Sequence, residues 1–556
     1  MPSPAADGAG KQRLNLWGRV LRNLRPSHQH SPFSATLLMV TAVMLSRIVG
    51  YLREMYIAWA FGAGPLTDAY VGAFNLPDFL NYILAGGTAS ITFISIYTRH
   101  TSQGRNRKAQ DAFDSTITIM TAVVVVGTII LEIFTPQIER VIFPHFSSEQ
   151  LALCVHLTRI LLPGQIFFYA GGIVSAVLLS RRMFLYPALG PILYNVFIIL
   201  GGVFGAHRFG ISSLAYGALA GAITGPFLIN AIGAAQDGLR YRLNLDWHNP
   251  EFREWVRLSI PLMLGVSLVS ADDWILRYFA SGGAGDITRL NYAKRLFAVP
   301  ISVLGQATGQ ASLPFFARLF GEGRRKEFAE IVNRSVYSIS SASFLFTALM
   351  MPAALPLIDL VYRRGHFTFQ DSRETAVYFF WFALSLALWS AQALYARAFY
   401  AAGDTLTPMV ASTLVTVASL PVYKMFFVRF GVTGLAMASD TGIFLHTLAL
   451  AWLLNRKRLV LLRDLPWKEL SKALGVAVAA GVAGYAVSNV VAVNGSRESD
   501  LLALAVRGGA WLLVSALGLW ITKSKLLDEL RRKSPATPNL SAPEVVVERT
   551  TGGIEP

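Results

Sequence analysis

The chain has 556 residues, 53% hydrophobic and 15% charged, with a mean hydropathy of +0.47. Apolar runs of about 20 residues recur along it and match the hydrocarbon thickness of a bilayer, so the class is an all-α polytopic membrane protein; the alternating segments of a β-barrel are absent. The formal charge of +16 gathers in alternate loops rather than on one face, which argues against a nucleic-acid partner, and the single cysteine, Cys154, excludes a disulfide framework.

Residues 1–33 are basic, with Lys11, Arg13, Arg19, Arg22 and Arg25 beside Leu14, Trp17 and Leu21. They read either as a short amphipathic helix on the cytoplasmic surface or as a disordered basic tail. Fourteen transmembrane helices are predicted after them, near 34–60, 68–97, 112–134, 151–180, 184–206, 211–235, 255–280, 287–317, 330–360, 374–400, 405–429, 432–455, 468–491 and 501–522. Most of the 49 Lys and Arg fall in segments that share a side with the N-terminus, among them Arg99, Arg105, Arg107, Lys108, Arg324 to Lys326 and Arg456 to Arg458. The positive-inside rule then places both termini in the cytoplasm.

A sparse internal repeat relates FGAGPLTDAY, starting at Phe61, to FASGGAGDIT, starting at Phe279, and sets Asp68 against Asp286. It predicts two six-helix lobes with pseudo-twofold symmetry, residues 34–235 and 255–455, joined by a linker at 236–254, with a site between them. A C-terminal helix pair at 466–522 lies outside that plan, with Gly475, Gly481 and Gly484 allowing close packing. Residues 523–556 turn polar and read as a disordered tail.

The first span carries Arg47, Arg53 and Glu54 around Gly50, and Asp68 opens the second. A buried arginine in a membrane helix costs about 2.5–3.5 kcal/mol on insertion scales, so these charges need a wet cavity, an anionic ligand or each other. Arg47 and Arg53 are roughly 120° apart on a straight helix, and a bend at Gly50 would turn both toward one cavity. The competing reading pairs them across helices, Arg53 with Asp68 as a closing latch. The eighth span adds Lys294 and Arg295, and with Arg47 and Arg53 they would suit a diphosphate, because a guanidinium fork takes two phosphate oxygens at once.

Arg289, nearer the outer interface, is expected to snorkel. Asp273 and Arg277, four apart, are expected to pair within their helix. That leaves Asp272 which, with Asp440, is a candidate for coupling to a cation or proton. The histidines His156, His207, His366 and His446 are scattered at span ends and suggest no metal site, and without a P-loop no nucleotide cofactor is expected. An arginine-rich cavity argues against a cation-coupled drug exporter, and the short loops argue against a membrane glycan transferase.

SRIVGYLRE (46–54), FGAGPLTDAY (61–70), NLPDFLNYILAGG (75–87), LGVS (264–267), YAKRLFAVPISVLGQATGQASLP (292–314) and AFYAAGDTLTP (398–408) together resemble the MurJ/MviN family of the MOP exporter superfamily. The resemblance implies a non-enzymatic flippase that moves undecaprenyl-diphosphate-linked peptidoglycan precursor, lipid II, across the bacterial cytoplasmic membrane by alternating access. It also implies work alongside the cell-wall synthesis machinery, with a cation or the membrane potential as possible driving force. Carried over residue by residue, the family's cavity arginines fall on Arg47, Arg53 and Arg295, its gate aspartate on Asp68 and its fifth-span asparagine on Asn195. The pattern departs at Asn81, Tyr82 and Gly86, where the family has other polar and charged residues, and at Lys294 and Ala298, where it has acids. Another polyprenyl-diphosphate glycan is therefore the alternative substrate.

Overall fold

The computed structural model describes residues 32–84, 88–263, 268–491 and 493–526; the basic segment up to residue 31, Gly86, the LGVS motif and the tail from residue 527 lie outside the described residues. The regular structure among the described residues is helical, with no strand. The first predicted span is α1 (Pro32–Phe61). The second is split into α2 (Pro65–Gly72), α3 (Asn75–Leu84) and α4 (Thr88–Ser102). Gly62, at φ +68°, turns the chain after α1, and Pro65 opens α2, where its missing N–H costs nothing.

Next come α5 (Asn106–Ile142), α6 (Ser148–Leu161), α7 (Gly164–Ser180), α8 (Leu185–Phe209) and α9 (Ser212–Ala222). Ser147 caps α6 by accepting from the Gln150 backbone N–H, and Pro163 marks the break before α7. A π-helical turn, Ile223–Ile229, surrounds Pro226 and leads into α10 (Asn230–Gln236).

The second half holds α11 (Pro250–Met263), α12 (Leu268–Ala280), α13 (Asp286–Pro300) and, after a second π-helical turn, α14 (Thr308–Gly321). It continues with α15 (Arg325–Tyr362), α16 (Phe369–Leu384), α17 (Leu386–Ala401), α18 (Leu406–Arg456), α19 (Trp467–Ala486) and α20 (Arg497–Ile521). Gly431, at φ +61°, interrupts α18 where the sequence predicts two spans. Against fourteen predicted spans, eight stretches of the described residues are long and apolar enough to cross a membrane. They become nine if the bent pair α16 and α17 counts as one.

The packing defines two ends. At one end a single apolar core mixes both halves of the chain, from Ala58, Tyr70, Phe143 and Leu214 to Ile287, Tyr362, Phe379 and Leu435. At the other end, where the basic loops lie, the halves keep separate cores apart from α11, whose Phe252 and Trp255 join the core of the first half. One is built on Phe93, Phe113, Val177 and Trp255, the other on Phe316, Phe328, Leu394 and Leu454. The halves are thus joined at one end and apart at the other.

Helix α11 packs on α4 and α5 in the first half, whereas α12 packs on α18 in the second. Helices α19 and α20 pack on α15. There Pro356 has no N–H to offer the Pro352 carbonyl, and the buried Arg507 of α20 donates to that oxygen at 2.7 Å. Gly484 abuts Pro352 and Gly481 faces Ala348, but Gly475, expected to serve the same packing, has nothing near its Cα.

Candidate functional site

Helix α1 runs unbroken through Gly50. A methyl on Gly50 would lie 3.9 Å from the Asn195 amide, and this close approach of α8 sets Asn195 beside Arg53. Arg53 donates through Nη1 to Asn195 Oδ1 at 2.8 Å and through Nη2 to Glu54 Oε1 at 2.5 Å. Arg295 reaches the same carboxylate oxygen from the other half of the chain, Nε to Oε1 at 3.2 Å. Next to this bridge, the Tyr51 hydroxyl donates to the Arg295 carbonyl at 2.8 Å.

One carboxylate is thus shared by two guanidiniums, leaving a net positive cluster across the junction of the halves. The two arginines are not equivalent. The Arg53 side chain is 13% exposed and Arg295 46%, so the Nη atoms of Arg295 stay open to a further acceptor. Arg47 is exposed on α1 and takes no part in the bridge.

The other predicted residues lie elsewhere. Asp68 does not approach the arginines. It accepts from the Gly285 N–H at 2.5 Å and from the Thr288 N–H and hydroxyl at 2.8 and 2.6 Å. It therefore caps the N-terminus of α13 from the opposite half, where a carboxylate meets the positive end of the helix dipole. Asp68 thus joins the halves through Gly285 and Thr288, not through Arg53. Lys294 is held by Asp272 and by Asp273, the latter at 2.5 Å, and is turned away from Arg295. Asn81 donates to Gln165 at 2.9 Å and lines a separate cavity of about 260 Å³ with Asp78 and Tyr194.

Neither Asp273 nor Arg277 makes the expected helical pair, because Arg277 donates to Asn75 across the junction while Asp273 takes Lys294. Arg289 does not snorkel. Asp286, Asp371 and Glu374 hold it at 3.1, 3.0 and 3.0 Å. Asp272, a candidate for cation coupling, also accepts from Tyr423 and from Ser439 at 3.0 Å, so the Lys294 ammonium already supplies its positive partner. The Asp440 oxygens make no hydrogen bond of ordinary geometry, and Ser385 and Asp272 are their polar neighbours.

The family model of the lipid II flippase MurJ matches residues 57–505. The chain belongs to the MurJ family. Among curated MurJ proteins, the probable lipid II flippase of Rhizobium tropici is 26% identical over 522 residues, covering 89% of this chain and 96% of that protein. The lipid II flippase MurJ of Burkholderia cenocepacia is 26% identical over 511 residues, with coverages of 88% and 97%. A solved MurJ structure in an inward closed conformation superimposes with a TM-score of 0.72 at 20% identity, covering 88% of this chain and all of that one. An inward-facing MATE multidrug transporter follows at 0.60 and 15%, covering 76% and 98%. Both likenesses establish the fold: this is an all-helical MurJ-type membrane protein of the bacterial inner membrane.

Sequence reasoning missed Tyr51 and Asn75. Both are polar residues within apolar stretches and sit at the junction of the halves, whereas Asn195 came only from the family resemblance.

Proposed function

We propose that this chain is a transporter, not an enzyme, that flips lipid II by alternating access between its two halves. Arg295 and Arg53, with Arg47 nearby, take the diphosphate, while the polyprenyl tail stays in lipid. The observation that carries this reading is the Arg53–Glu54–Arg295 bridge, cationic overall and built from both halves. It offers a guanidinium fork in an otherwise apolar setting, where a charge-assisted bond to phosphate is strong.

The basic loops define the cytoplasmic end under the positive-inside rule. The halves are apart there, so the cleft opens inward and the joined end, latched by Asp68, faces outward. A diphosphate entering from inside competes with Glu54 for the guanidiniums. Freed from Arg295, the halves can part at the outer end once Asp68 releases Gly285 and Thr288. A cation or the membrane potential would bias this cycle, and cell-wall synthases would take up the product.

Complementation of a strain depleted of its own lipid II flippase tests this. The wild-type chain restores growth, and Arg53→Ala and Arg295→Ala fail to do so at normal membrane levels. Growth supported equally by both variants removes the diphosphate role.

A further inference from the structure

A second cavity lies away from the junction. It measures about 810 Å³ and lies at the basic-loop end of the second half, within the size range of small-molecule sites. Three segments distant in sequence line it with six cations: Arg325, Lys326 and Arg334 from α15, Arg458 and Arg463 from the loop after α18, and Lys525 beyond α20. All six are exposed. Only two acids join them, Glu330 and Asp464, and Asp464 is already 3.6 Å from Arg463.

The positive-inside tendency accounts for the sign of these loops but not for their convergence on one walled cavity. That convergence is built. Asn333, buried in the floor, donates to the Leu461 carbonyl at 3.1 Å, Asn455 accepts from the Leu462 N–H at 3.1 Å, and Glu469 accepts from the Lys525 N–H at 3.3 Å. Arg458, at φ +53°, is the left-handed residue that ends α18, with its N–H on the Asn455 carbonyl at 3.0 Å and the Leu459 N–H on Leu454 at 3.0 Å.

Arg325 and Lys326 stand in the first turn of α15 beside Glu327, which pairs with Arg324 at 2.5 Å, and the Arg325 guanidinium lies over the Phe320 ring.

We propose that this cavity binds a phosphorylated polyanion, carried either by an anionic lipid headgroup or by a soluble phosphate compound, at the cytoplasmic side of the second half. The full chain in nanodiscs can be probed by lysine acetylation read by mass spectrometry. Inorganic tripolyphosphate in zwitterionic nanodiscs should shield Lys326 and Lys525 and leave Lys108, exposed among other basic residues of the first half, as reactive as before. Shielding that instead requires cardiolipin in the nanodisc assigns the anion to a lipid headgroup, and shielding by tripolyphosphate assigns it to a soluble compound.

Combining Arg458→Asn, which tolerates the left-handed backbone, with Arg463→Gln should raise the half-shielding concentration about tenfold. Undiminished labelling of Lys326 and Lys525 under both conditions overturns the proposal. So does shielding that ignores the two substitutions.

Discussion

Glu54 is the residue on which the junction depends, because both guanidiniums meet one of its oxygens. Substrate and Glu54 compete for the same donors, so Glu54→Gln should hold lipid II at least as tightly as wild type yet turn over more slowly. Weaker lipid II binding by Glu54→Gln, measured in nanodiscs, counts against that competition. Asn195 supports Arg53 at the cost of one buried hydrogen bond, and Asn195→Ala should lower stability by about 1–3 kcal/mol, readable as a drop in Tm. Arg53→Lys should also impair transport, because an ammonium cannot reproduce the fork that reaches Asn195 and Glu54 together.

Arg53, Glu54 and Arg295 were legible in the sequence as charges at apolar positions, and Asn195 only through the family resemblance. Their partners were not. Arg277 and Asp273 have the spacing of a helical pair, yet each finds a nearer partner on another helix, and only tertiary geometry decides between the two. The same holds for Arg289, which looks like a snorkelling side chain until Asp371 and Glu374 of α16 are beside it.

At the scale of elements, close packing rests on glycines that sequence alone could not rank. A methyl on Gly217 of α9 would meet the Phe197 carbonyl at 2.5 Å, whereas Gly475 on α19 has open space. Gly217→Ala should therefore lower Tm markedly and Gly475→Ala hardly at all, as thermal unfolding in detergent will report. The break inside the second predicted span, between Gly72 and Asn75, was also hidden, since the sequence stays apolar across it.

The start of α11 is tied to the first half by Arg99 and Glu254 at 2.5 Å, and the Arg99 guanidinium holds the Glu254 carboxyl below its usual range. A depressed carboxyl stabilises the fold above its unfolded pKa, and that contribution is lost as pH falls through the folded value. Tm should stay level down to roughly pH 4.5 and then decline, less steeply in Arg99→Gln.

For the whole molecule, one joined core and two separate ones describe a body closed at one end and cleft at the other. The sequence repeat anticipates two units, and the basic loops anticipate which way the cleft faces, but which end is shut depends on contacts such as Asp68 with Thr288 that no pattern encodes. Transport of lipid II in reconstituted proteoliposomes, wild type against Arg295→Ala, tests the central claim most directly. The account predicts translocation by the wild-type chain and its loss in the variant with folding intact; equal translocation by both would contradict it.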